Sequence, residues 1–336
     1  MTKNDRRTGL RQLIFRHLSQ ERIVLLLAIF LFTAFTLSLQ NFLSTQNMLT
    51  LLRSVAILGI LGVGMLVVVI GRGIDLCMVA TMAISVAWAL QLSNTGTPLG
   101  MALLLGLGFA ILMSLASGVL IAYAEIPPLF ATLAMAAVVY GFGRSTLIAA
   151  TDVVYMSDDI GWIKVFGQGA LFGIPTPIIT AIVIAFAAWG FLRYTKSGRF
   201  IYAIGDNSAA ARISAIPVRP ILVLQYVIAG VISFIAGIVT ATSVAAMNTR
   251  VVNSNMIYDV ILVVVLGGVG LSGGRGNVRN VLVGTLLIGV LINGMTIMDI
   301  QYTVQNVIKS LILLAAIISD SILNPRDEQT GQQGDI

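Results

Sequence analysis

Ten mostly apolar stretches recur along the chain, near 23–40, 51–70, 76–92, 99–123, 128–150, 176–194, 221–246, 257–271, 281–298 and 304–323. A helix crossing the hydrocarbon of a bilayer needs about 20 apolar residues, with a range of about 17–25, and all but 257–271 reach or approach that length. Composition agrees: 57% of the 336 residues are hydrophobic, 10% are charged and the mean hydropathy is +0.97. A soluble domain carries about 25% charged residues, so too few charges are present to solvate a globule of this size. These numbers exclude a soluble enzyme, a disordered chain and a nucleic-acid binder, and the chain reads as an all-α polytopic membrane protein of about ten transmembrane helices.

The breaks between runs carry turn chemistry: Gly71-Arg72-Gly73, Asn94 to Pro98, Pro127-Pro128, Gly173 to Pro177, Pro217 with Pro220, and Gly273-Gly274 with Gly276. With a cytoplasmic N-terminus, ten spans return the C-terminus to the cytoplasm. Fifteen of the 20 Lys and Arg residues then fall on that side, leaving Arg53, Arg144, Lys164, Arg250 and Lys309 elsewhere. That is the positive-inside pattern. A signal peptide is disfavoured because the first apolar run is long and leaves through Leu37-Ser38-Leu39-Gln40 without a small-x-small cleavage site.

Three regions follow. Residues 1–22 form a basic cytoplasmic segment, in which Leu10, Leu13, Ile14 and Leu18 fall at the spacing of an interfacial amphipathic helix. Residues 23–323 form the transmembrane domain. Residues 324–336 read as a disordered tail.

Gly-rich breaks at membrane depth are tolerated only where protein or a water-filled path surrounds them. Two stand out: Gly71-Arg72-Gly73-Ile74-Asp75, and Gly267-Gly268 followed by Ser272-Gly273-Gly274-Arg275-Gly276-Asn277. Interrupted hydrophobic segments of this kind point to a transporter's working centre. Intramembrane ionisable groups point the same way, and Asp75 and Asp259 are the clearest, with Glu125 where a helix leaves the membrane. Asp75 could also pair with Arg72 or cap the following helix, and Asp259 could be a cap.

One cysteine (Cys77) and one histidine (His17) leave no disulfide, metal site or triad, and the GxxxxGK[ST] phosphate loop is absent. Neither catalysis nor a cofactor is encoded. The longest cytoplasmic connection, 195–220, contains a helix start at Asp206-Asn207-Ser208, helix formers through Arg212 and a stop at Pro217. It reads equally as a docking element for a peripheral partner or as an ordinary basic loop.

Four segments in register resemble the permease subunits of bacterial ABC importers of the ribose, xylose, galactose and autoinducer-2 type. Gly73-Ile74-Asp75-Leu76 is similar to that family's GGIDLSVGS, and Ile126 to Leu133 (IPPLFATL) to its IPPFIATLG. Ser197-Gly198-Arg199, Ala203 to Asn207, Ala210-Ala211 and Ile216 match its SGR…AIGGN…AA…GI. Asp259-Val260-Ile261, Val265 to Gly268 and Leu271 to Gly276 match its DVIAAVVLGGTSLSGGRGS.

The resemblance implies an ATP-driven pump in the bacterial inner membrane. Two permease copies, as a homodimer or heterodimer, form the pore; ABC ATPase subunits dock beneath; a periplasmic or lipid-anchored solute-binding protein delivers the solute. It implies two inverted four-helix repeats, spans two to five and seven to ten. It places the substrate pathway along Gly73, Asp75, Phe130, Thr132, Asp259, Gly267 and Gly268, and ATPase coupling at Gly205, Asp206, Asn207, Ala210, Ala211, Arg212 and Ile216. The implied cargo is a small polar solute, a monosaccharide or related sugar, and the competing reading is an ion- or proton-coupled secondary transporter.

The chain departs from the family pattern at Cys77-Met78-Val79-Ala80, where Ser-Val-Gly-Ser is usual, and at Arg72, Asp206 and Ala215, where glycine or a small residue is usual. An unusual sugar, a more apolar ligand or a divergent partner permease are all compatible with these changes.

Overall fold

A computed structural model describes residues 20–323. The amphipathic helix expected within 10–18 and the tail 324–336 lie outside the described residues. The long helices are α1 (Gln20–Ser38), α2 (Thr45–Ile70), α3 (Met78–Asn94), α4 (Leu99–Ala122) and α5 (Pro128–Phe142), which runs on through a π-helical turn, Gly143–Leu147. After an irregular stretch come α6 (Thr176–Tyr194), α7 (Lys196–Asp206), α8 (Ser208–Ile213), α9 (Val218–Val244), α10 (Met256–Leu266), α11 (Val278–Ile297) and α12 (Tyr302–Leu323). Seven of these segments are long and apolar enough to cross a membrane: α1, α2, α4, α5 with its π turn, α6, α9 and α11. Three shorter apolar helical stretches, Met78–Asn94, Met256–Leu266 and Tyr302–Ile318, fall where the sequence predicts further spans.

Helix α2 is the hub. Almost every residue from Leu58 to Ile70 is buried, as expected for a helix that is apolar all round and therefore belongs in a core. It packs against α6, α9, α10 and α11, while α9 also lies along α3 and α4. Lipid tails are as apolar as leucine, so helices associate in a membrane chiefly by close van der Waals fit, which small residues permit. A Cβ at Gly106 would lie 2.7 Å from the Ser85 carbonyl oxygen, and one at Gly237 would lie 2.6 Å from that of Met82. Polar groups supplement the fit. Asn47 on α2 and Asn293 on α11 exchange amide hydrogen bonds of 3.0 and 2.8 Å. The outward faces are greasy instead, with Leu104, Leu133 and Phe186 all more than half exposed.

The two ends of the bundle differ. One, here termed the foot, carries α7 and α8. The other carries a small cap built from 148–175 and 245–255, of which the hydropathy pattern leaves 151–175 and 247–255 as connections. Strands β1 (Val153–Tyr155) and β4 (Ala246–Asn248) pair antiparallel in the cap, with Val154 opposite Met247. Strands β2 (Ala170–Leu171) and β3 (Ile174–Pro175) form a hairpin leading into α6. Asp152 ties the cap to the bundle by ion-pairing with Arg144 in the π turn and with Arg250 beyond β4. The hydrogen bond from Arg250, aided by Arg144, holds the Asp152 carboxyl below its ordinary value of 3.8.

Two outcomes follow from this packing. Replacing Gly237 by Val should lower stability by about 1–3 kcal/mol through overpacking, read as a lower unfolding midpoint in detergent, whereas Gly108→Val, with no atom within 4 Å, should not. A carboxyl depressed in the folded state contributes stability above its unfolded pKa and loses it as pH falls through the folded value. Protection of the β1–β4 amides, corrected for intrinsic exchange, should therefore hold between about pH 7 and about pH 5 and fall below about pH 4, and Asp152→Asn should remove that dependence.

Candidate functional site

Helix α2 ends at Ile70 because Gly71 and Arg72 turn the chain: Gly71 N–H and Gly73 N–H both donate to the Val68 carbonyl. Arg72 adopts a left-handed backbone, φ 65°, a conformation that favours glycine and costs an L-residue with a side chain roughly 1–3 kcal/mol. Its guanidinium offsets that cost. Nε donates to the Ser272 carbonyl at 2.8 Å and Nη2 to the Asp206 carbonyl at 2.7 Å. One side chain thus joins the first Gly-rich break, the second break and the end of α7.

Backbone contacts reinforce the junction. Gly274 N–H donates to the Ile70 carbonyl at 2.8 Å, satisfying a helix-terminal acceptor inside the protein. Gly205 sits so close to that carbonyl that a Cβ would lie 1.8 Å from it. The Tyr202 hydroxyl on α7 donates to the Gly276 carbonyl at 2.8 Å, and burial raises its pKa. The small residues of three separate segments meet because backbone touches backbone there.

The other residues expected to couple to an ATPase are placed as follows. Asn207 caps α8, its side chain accepting from Ala210 N–H at 2.9 Å. Ala211 is buried, whereas Ala210 and Arg212 are exposed. Helix α8 closes with Ile216 N–H on the Ala211 carbonyl and Ala215 N–H on the Arg212 carbonyl, with Ala215 at φ 59°. That is a Schellman closure, in which glycine is preferred, and it explains the glycine that the family resemblance has at this position. Pro217 does not end α8, which stops at Ile213, but occupies the N-cap position of α9.

The residues expected along the substrate pathway divide. Asp75 is buried and its Oδ1 accepts from Cys77 N–H at 2.9 Å, a local turn just ahead of α3, whose N-cap position, Cys77, carries no side-chain cap bond. Among the described residues Arg72 and Asp75 form no ion pair. Thr132 is buried on α5, and its hydroxyl reaches the Pro128 carbonyl at 2.8 Å and the Ile74 carbonyl at 3.3 Å. Gly73 lies beneath Tyr226, whose hydroxyl would be 2.5 Å from a Cβ. Gly267 is held by Asn280, whose amide donates to its carbonyl at 2.8 Å, and Gly268 turns the chain at φ 94°. Phe130 stands apart, 63% exposed on the outward face of α5.

Asp259 lies in the first turn of α10 and pairs with Lys309 of α12 at 2.8 Å, with side-chain exposures of 16% and 7%. A cavity of about 130 Å³ beside the pair is lined by Asn255, Tyr258, Asn306 and Ser310 as well. Lys309 is the partner that sequence spacing could not supply, since 50 residues separate the two.

Residues 47–318 match the protein family described as the permease component of branched-chain amino acid transport systems. The chain belongs to this permease family. The ribose import permease protein of Bacillus subtilis (strain 168) is 36% identical over 284 residues, covering 83% of this chain and 86% of that protein. The galactofuranose transporter permease protein of Escherichia coli (strain K12) is 35% identical, covering 81% and 78%. The fructose import permease protein of Rhizobium meliloti is 30% identical, covering 92% and 87%. No solved structure matches the chain. The permease is a multi-pass membrane protein, and its match spans both Gly-rich breaks, α7 with α8, and the Asp259–Lys309 pair.

Breaking a buried ion pair strands one charge and costs about 3–5 kcal/mol, whereas replacing both partners by apolar residues is often neutral. Lys309→Met alone should therefore destabilise the permease markedly in detergent unfolding, and Asp259→Leu combined with Lys309→Met should recover most of the loss.

Proposed function

We propose that this chain is the pore-forming subunit of an ATP-driven importer that carries a monosaccharide or related small polar solute by alternating access. The observation that carries the reading is the near full-length match to import permeases for three different sugars. The three-way junction at Arg72 supports the coupling step. A partner ATPase would push on α7 and α8, and Gly205 and Asp206 would pass that displacement to Ile70, Arg72 and Gly274 with no flexible linker between. Both breaks would then shift together at the end of α2.

In this reading the foot faces the cytoplasm, which agrees with Arg72, Arg212, Arg219 and Arg275 belonging to it, and the cap faces the side from which a periplasmic or lipid-anchored binding protein delivers solute. Ten spans, cytoplasmic termini, a location in the bacterial inner membrane and two inverted four-helix repeats (α2–α5 and α9–α12) complete the proposal. A second permease copy, identical or related, supplies the other half of the pore. ATP is hydrolysed by the partner, and this chain contributes no catalytic residue, cofactor or metal. The Asp259–Lys309 pair borders a cavity that a hydroxyl-rich solute could enter, whereas Thr132 and Asp75, buried in this structure, would meet the solute only once the first break shifts.

The test is transport by the permease reconstituted in vesicles with its ATPase and binding protein. Uptake should require ATP inside and should stop when ATP is withheld; uptake that instead followed an imposed ion gradient would overturn the reading in favour of a secondary carrier. Arg212→Glu and Ala210→Trp should each cut solute-stimulated ATPase activity by about tenfold, equivalent to about 1.4 kcal/mol of coupling, while membrane insertion is retained.

A further inference from the structure

Beside the Arg72 junction, at the foot, a second cavity of about 170 Å³ opens between the first Gly-rich break, the turn from α4 into α5, the coupling helices and the first turns of α9. Its polar lining comprises Arg72, Glu125, Ser208, Arg212, Arg219, Gln225 and Tyr226. Glu125 accepts from Arg219 at 2.9 Å, which neutralises one guanidinium. Arg72 donates only to uncharged carbonyls. Among the described residues, neither Arg72 nor Arg212 has a carboxylate within 4.0 Å. Two cations therefore face this space without compensation.

The depth of the cavity adds an independent observation. Gln225 is 1% exposed, and both its amide nitrogen and its amide oxygen lack a hydrogen-bond partner. A buried unsatisfied polar group ordinarily costs about 1–3 kcal/mol and calls for an explanation. An amide at the bottom of a cation-lined cavity has one if a ligand completes its bonding. The volume exceeds what a single water needs, and Ile121 and Leu222 supply an apolar wall.

We propose that this cleft binds a phosphate-bearing ligand, with Arg72 and Arg212 taking the phosphoryl oxygens and the Gln225 amide donating from below. A phosphate monoester carries about −1.5 to −2 charge at pH 7, which matches the two uncompensated guanidinium groups; the planar fork of Arg212 fits phosphate oxygens in pairs, while Arg72, whose Nε and Nη2 are engaged on the Ser272 and Asp206 carbonyls, offers Nη1. The phosphoryl group could belong to a soluble ester or to a lipid headgroup, because basic pockets between spans also hold anionic lipids. Since α7 and α8 form one wall, occupancy would brace the coupling segment against the break. The assignment stands on the groups of the cleft and is independent of the cargo and of ATP coupling.

Binding to the full-length permease, purified in detergent without ATPase, separates the possibilities. Inorganic phosphate is titrated calorimetrically, and retention of phosphatidylglycerol from nanodiscs is followed by native mass spectrometry. Saturable phosphate binding that weakens about tenfold in Arg212→Gln, the loss expected for one charged hydrogen bond, and that fades with added salt would support a soluble ester. Phosphatidylglycerol retained by the native chain but lost in Arg212→Gln would support a headgroup. Gln225→Leu should weaken either ligand further, and because Arg212 is exposed its variant folds even where the core variant does not. If the native chain and Arg212→Gln bind both probes equally, or neither probe binds, the site is refuted.

Discussion

The unbonded acceptors and donors left where a helix stops inside an apolar bundle are the constraint on which this permease is built. Water cannot satisfy them there, so protein must. At the end of α2 the Ile70 carbonyl takes the Gly274 amide, while the Arg72 guanidinium takes the Ser272 and Asp206 carbonyls. Those bonds bring two irregular breaks and a helix at the foot to one point. The strained backbone at Arg72 persists because its side chain is held at two places, so the surroundings over-determine a conformation that local preference disfavours.

Glycine makes the arrangement possible at Gly205, where backbone lies directly on the Ile70 carbonyl. No side chain stands between the two segments at this contact, and close packing inside proteins is stiff, which is why the proposed coupling is assigned to it. The polar groups farther along the bundle, Thr132 on the Ile74 carbonyl and Asp75 on the Cys77 amide, lock the same break from its other side.

Much of this was legible in the residues. The helical spans follow from apolar run length, the breaks from glycine and proline, and the α8 cap from Asn207 with three alanines after it. The helix at Lys196–Asp206 was missed as an element because it is short and amphipathic, although Phe200, Ile201 and Ile204 stand at helical spacing. The cap was missed for a different reason. Strands of two or three residues carry too little alternation to read, and β1 pairs with β4 across the whole of α6 to α9. Gln225 gave no signal at all, being one amide in a long apolar span.

Sequence alone determined that this chain lives in a membrane as helices, which residues are small enough for backbones to touch and which segments cannot be helical. Run length and side-chain volume are local properties, and the bilayer enforces them. Tertiary structure decided which segments touch. That Lys309 answers Asp259, that Arg72 reaches past Asp75 to Ser272 and Asp206, and that Phe130 faces outward depend on how α2, α9 and α11 cross. Those crossings are set by packing summed over many residues, and no window of sequence contains it.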